Sequence, residues 1–241
     1  MKDLITDLVS LSKELEGLRP SLNQISISAL VNQDSFLLNS VETNSRQITK
    51  GDIYEYRLEP VLNILNSEYL SNSKILEIIK SSQESKGSPK ASTETLIHAL
   101  CLKYGEAKYV AHSHSLTVNK ILCSQIGSTA FKGHVFADSI TACGKTPATI
   151  SFVEAGFFQA KAVYNELKSF KKINFQTPKI LLMENHGPIA LAKNPKELVN
   201  IIKTLEQWAE LLLAGYQLSG PNYLSLDHVL NIEAEHRKMQ K

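Results

Sequence analysis

Short apolar runs alternate with longer stretches of helical periodicity along the whole chain, which confines it to folds in which helices cover a sheet. Residues 2–18 put Leu4, Leu8, Leu11, Leu15 and Leu18 on one helical stripe. ISISALV (25–31) and SFLLNSV (35–41) read as strands around a turn at Asn32–Asp34. Residues 59–69 and 73–80 read as short helices, 92–104 as a helix capped by Ser92, KYVAHSH (108–114) as a strand and 115–124 as a helix. ATISFV (148–153) is a strand followed by a helix at 157–170. KILLMEN (179–185) is a strand that turns at His186-Gly187-Pro188 and resumes as IALA (189–192). Helices at 195–218 and 225–238 close the chain. The class is therefore α/β or α+β, with helices on both faces of one sheet.

At 241 residues, 43% apolar and 21% charged, the chain can bury a sizeable core. Lys and Arg total 26 against 24 Asp and Glu, a net charge of +2. That excludes nucleic-acid binding through bulk electrostatics. No apolar run reaches the ~18 residues of a membrane span. The amphipathic start, with Asp3, Asp7, Glu14 and Glu16 in its pattern, is not a signal peptide. Cys101, Cys123 and Cys143 are too few and too dispersed for a disulfide framework, so a reduced, cytoplasmic setting is expected. No repeat is visible, and SSQESKGSPK (81–90) reads as a surface loop rather than a linker. The expectation is a single domain over residues 1–241.

Two of the seven histidines form His112-Ser113-His114, and positions i and i+2 of a strand share a face. His186 stands at the end of a very apolar strand, followed by a glycine that permits close backbone approach. Three imidazoles with an open fourth position is the pattern of catalytic zinc, with Mn²⁺, Co²⁺ and Fe²⁺ also compatible; ordinary surface or core histidines are the competing reading. Ser92-Thr93-Glu94 at a helix start is either a seat for a phosphate or carboxylate, with Glu94 as a base, or a plain N-cap with an acid in the first turn. His98, one turn after Glu94, reads as a satisfied core histidine or one supporting the site. Trp208 and its leucines form a packing stripe. Cys143-Gly144-Lys145-Thr146 lacks the glycine of a phosphate loop, since Ser139 stands in its place, and no GxGxxG occurs.

Lys90-Ala-Ser-Thr-Glu-Thr-Leu-Ile-His98, Val110-Ala-His-Ser-His114 and Leu181-Leu-Met-Glu-Asn-His-Gly187, in this order, resemble the class II aldolase/adducin family. TVNKILCS (117–124) and Phe152-Val-Glu-Ala-Gly156 resemble the aldolase half of proteins that fuse such a domain to a short-chain dehydrogenase, here without the dehydrogenase. The resemblance covers about residues 20–235. It implies a three-layer αβα sandwich around one largely antiparallel or mixed sheet, assembled as a homotetramer. It implies His112, His114 and His186 as ligands of Zn²⁺ and Glu94 as the catalytic acid/base. Ser92, Thr93 and Ser26 fall in the substrate-phosphate site, and Tyr216 and Tyr223 lie where a neighbouring subunit's proton donor is found. The family's Gly-Asn-x-Ser loop is here Asn23-Gln24-Ile25-Ser26, its Ser-Gly loop is Asn39-Ser40-Val41-Glu42, and Ser115 replaces a common proline. The anion half of the site is thus altered where the metal half is complete.

The implied function is a zinc-dependent lyase that cleaves a hydroxyketone, a small sugar-phosphate-like substrate, through a metal-stabilised enediolate. Glu94 would move the proton beside the carbonyl, which requires an apolar wall to raise its basicity. The same site would serve a 4-epimerase, a dehydratase or a decarboxylase, and an adducin-like assembly module is the non-catalytic alternative. Neither nucleic acid nor membrane is an expected partner.

Overall fold

The computed structural model describes residues 2–18, 25–40, 47–84 and 91–239. The elements are α1 (Lys2–Leu18), β1 (Ile25–Leu30), β2 (Ser35–Asn39), β3 (Ile53–Arg57), α2 (Leu58–Leu62), α3 (Asn72–Ser82), α4 (Glu94–Tyr104), β4 (Tyr109–Ser113), α5 (Leu116–Leu122), α6 (Ala137–Cys143), β5 (Ala148–Ile150), α7 (Phe157–Asn174), β6 (Ile180–Met183), β7 (Gly187–Ala192), α8 (Pro195–Gln217) and α9 (Leu226–Met239). The strands form one sheet in the order β3-β2-β1-β4-β7-β6-β5. Among the described residues only β5–β6 is parallel; the other pairs are antiparallel. This is the mixed-sheet, three-layer arrangement that the resemblance implied.

Strand periodicity divides the core in two. Ile25, Ile27 and Ala29 of β1, Ala111 of β4 and Ala190 of β7 face the layer of α1, α5, α6 and α8. Val110 of β4, Leu181 of β6 and Ile189 of β7 face the layer of α2, α3, α4 and α7. Ser26, Ser28 and His112 have the opposite parity from Ile25, Ile27 and Ala111, so they project toward α4. Register completes the placement, because Ser26 stands directly opposite His112 in the β1–β4 pair. Asn39 clasps this region: its Oδ1 accepts the Ile27 N–H and its Nδ2 donates to the Ile25 carbonyl. A side-chain amide thereby replaces a backbone peptide at the edge of the ladder.

The structure departs from the sequence expectations in several places. The segment after His186 does not resume the strand. It runs back antiparallel as β7, with Gly187 and Pro188 already paired to Met183 and Leu182. The turn is Glu184-Asn185-His186, and Asn185 supplies its left-handed residue at φ 55°. Helix α4 begins at Glu94 rather than beside Ser92, with Thr93 in the capping position and in helical geometry. The Ser92 hydroxyl still accepts the Glu94 N–H at 3.2 Å. Strand β5 stops at Ile150, short of Val153. Helix α3 extends through Ser82, into the stretch read as loop. Strand β3 and helix α6 were not expected at all. Asn23, Gln24, Val41, Glu42 and most of the 81–90 stretch lie outside the described residues.

Candidate metal centre

Three elements deliver the cluster. Strand β4 carries His112 and, one residue beyond its end, His114. The β6–β7 turn carries His186, and the first turn of α4 carries Glu94. The imidazole centroids form a near-equilateral triangle with sides of 5.0, 4.9 and 5.1 Å. One donor atom from each histidine and one Glu94 oxygen all lie within 4.8 Å of one another.

The turn bearing His186 is fixed on several sides. Its three backbone N–H groups donate to the carbonyls of Ile150, Leu122 and Met183. The His186 carbonyl accepts from Asn119 Nδ2 at 2.9 Å, and the Gln159 side-chain amide lies 2.8 Å from His186 Nδ1. Glu184 accepts from the Ser128 N–H and hydroxyl, tying the turn to the segment after α5. Gly187 is required by close approach, since a Cβ there would collide with the Ser113 carbonyl just below His114. Gln159, Asn119 and Glu184 were not singled out in the sequence. The signals in the sequence were the family-like motifs that contain Asn119 and Glu184 and, for Gln159, a polar residue at an apolar-face position of α7.

The electrostatics suit a cation. Burial and the neighbouring histidines push His186 down to about 4, against the pull of Glu94. Burial and His112 likewise lower His114. Both rings are therefore neutral at neutral pH and present lone pairs, the form that binds metals. His112 Nε2 is buried with no hydrogen-bond partner. An orphaned donor atom beside two neutral imidazoles and a carboxylate fits a divalent metal.

Glu94 differs from expectation. Burial raises its pKa, but the close approach of the His112 ring, whose Nδ1 lies 3.6 Å from Oε2, the neighbouring His98 and the Ser26 hydroxyl outweigh that effect. Its carboxyl is held well below the usual carboxylate range, so the apolar wall thought to raise it does not prevail. Ser26 is buried and its hydroxyl donates to Glu94 Oε2 at 2.9 Å. Ser92 and Thr93 are half-buried at the start of α4, next to the cluster through Glu94. Tyr216 and Tyr223 hydrogen-bond to each other at 2.9 Å, and Tyr223 donates to the Ala130 carbonyl. His134 is held by Ser139 and the Lys145 carbonyl and stacks on Trp208, outside the cluster.

Known structures share this architecture. An L-fuculose 1-phosphate aldolase superposes with a TM-score of 0.73 at 14% identity, over 98% of this chain and 97% of that one. The N-terminal class II aldolase domain of a conserved Thermoplasma acidophilum protein gives 0.68 at 18% identity, over 86% and 92%. A sugar-phosphate aldolase from Thermotoga maritima gives 0.65 at 15%, over 92% and 98%. At such identities the likeness establishes the fold. No curated protein matches the chain. The sequence itself matches the Class II Aldolase and Adducin N-terminal domain family over residues 19–213. A match spanning every strand of the sheet and every histidine of the cluster means that the chain belongs to the class II aldolase and adducin family.

Proposed function

We propose that the protein is a metal-dependent lyase of the aldolase type, acting on a hydroxylated ketone that carries a phosphate. The observation that carries this reading is the convergence of His112, His114, His186 and Glu94 within 4.8 Å. The three imidazoles would hold the cation, with zinc the metal best matched to an all-histidine set. When bound, the cation supplies Lewis acidity toward the carbonyl and adjacent hydroxyl oxygens of the substrate. Glu94 takes and returns the proton on the carbon beside that carbonyl. Its ionised state at neutral pH makes it ready to accept. Ser92 and Thr93, half-buried beside Glu94 at the positive end of α4, would receive the substrate's anionic end through their hydroxyls. On this proposal residues 1–241 form one domain, working as a cytoplasmic homotetramer.

Metal analysis of the purified protein tests this directly. The expected result is about one zinc per chain, lost in His112→Ala. Cleavage of a member of a sugar-phosphate panel, read by NMR of the products, is expected to need the metal. A folded, metal-free oligomer with no turnover would overturn the enzyme reading and leave an assembly module.

A further inference from the structure

A closed hydrogen-bond chain runs away from Glu94 into the sheet. The Ser26 hydroxyl donates to Glu94 Oε2 at 2.9 Å, His98 Nε2 lies 2.9 Å from Ser26 Oγ, and His98 Nδ1 lies 2.7 Å from Ser28 Oγ. Ser26 is 4% exposed, and His98 and Ser28 are both 0%. The chain exists because β1 presents Ser26 and Ser28 on the face covered by α4, while Glu94 and His98 are one helical turn apart.

Its direction follows from donor counting. The one Ser26 proton is committed to Glu94, so Ser26 Oγ accepts from His98 Nε2–H. A neutral imidazole has one N–H, so His98 Nδ1 must accept from the Ser28 hydroxyl. Burial holds His98 down at about 3, which keeps it neutral throughout the working range. Every donor therefore points toward the carboxylate. Such a chain reinforces itself along its length. Both contacts that the described residues make with the carboxylate, Ser26 Oγ and His112 Nδ1, fall on Oε2.

We infer that His98, acting through Ser26, is a positioning residue for Glu94: the Ser28–His98–Ser26 chain fixes the carboxylate by Oε2 and leaves Oε1 as the oxygen that works in the cluster. This rests on the proposed proton-transfer role of Glu94. It also gives Ser26 a task different from the phosphate contact expected for it.

Two measurements separate this inference from the function it rests on. In metal-free protein, long-range proton–nitrogen NMR is expected to show His98 as the neutral tautomer protonated on Nε2. Its resonance should shift in Glu94→Gln and stop responding to that change in a Ser26→Ala background. An Nδ1-protonated ring, or a resonance indifferent to Glu94→Gln, overturns the chain whatever the enzyme does. In zinc-loaded protein, Ser26→Ala should keep its metal stoichiometry and KM while kcat for proton exchange on dihydroxyacetone phosphate falls about tenfold or more. Unchanged kcat in that variant overturns the positioning role. Wild-type protein that binds no zinc and exchanges no proton sinks the functional reading, even with the His98 tautomer as expected.

Discussion

Glu94 is surrounded by groups that favour its charge. Ser26 donates to it, His112 Nδ1 lies 3.6 Å from Oε2, and the carboxyl stays ionised against the penalty of burial. A carboxylate stabilised this way is a weak base, so it can abstract a carbon-bound proton only if the substrate is strongly acidified. The expected behaviour of Glu94→Gln follows: metal content stays at the wild-type level, since three imidazoles remain. Deuterium exchange at the carbon beside the carbonyl of dihydroxyacetone phosphate should fall by about 10²–10⁴. Exchange at the wild-type rate in the metal-loaded variant would remove Glu94 from the chemistry. Strand parity, a glycine after a buried strand and a helix start made the four cluster residues candidates, and it was the resemblance of their motifs to the family that grouped them into one site. The sequence did not reveal the part played by Ser26, because a serine on a strand shows its face but not what the opposite helix brings to meet it.

At the scale of elements, the β6–β7 hairpin and the Asn39 clasp decide whether the site forms. Gly187 sits where β7 passes the end of β4, with no room for a Cβ above the Ser113 carbonyl. Gly187→Ala should push β7 from β4 and separate His186 from His114. Zinc affinity, measured by chelator competition, is expected to drop about tenfold or more, as when support for metal ligands is lost, with helical circular dichroism retained. Asn39→Ala strands the Ile27 N–H and the Ile25 carbonyl inside the sheet, and should cost about 2–4 kcal/mol in urea unfolding. A loss well under 1 kcal/mol would mean the clasp is dispensable. Most long elements were readable from periodicity, because α1, α7 and α8 each keep one buried stripe. Strand β3 was not: its residues alternate burial imperfectly, as suits an edge strand. Helix α6 was missed because a seven-residue helix leaves too short a period to read.

Across the whole molecule, buried neutral histidines couple stability to pH. His98 falls to about 3 and His186 to about 4, while His134 and His114 are also lowered, each chiefly by burial. The unfolded chain protonates these rings near pH 6.5, before the folded chain does, so it binds more protons as acidity rises. Their contribution is complete above that pH and is lost as pH falls toward the folded values. Glu94, lowered in the fold, adds a loss of the same sign below about 4.5. Glu166, raised by burial, works in the opposite sense. In chelator-treated protein the unfolding free energy from urea titration should therefore be level near pH 7–8 and fall between about 6.5 and 5, by about 1.4 kcal/mol per pH unit for each fully coupled histidine. His134 isolates the effect, because its partners are Ser139, the Lys145 carbonyl and the Trp208 ring, away from the cluster. His134→Gln should lower stability at pH 7, through the lost stack and hydrogen bonds, and flatten the acid slope by up to one proton. An equally steep slope in that variant would show that His134 does not titrate out of the fold, and that the remaining histidines alone carry the acid sensitivity.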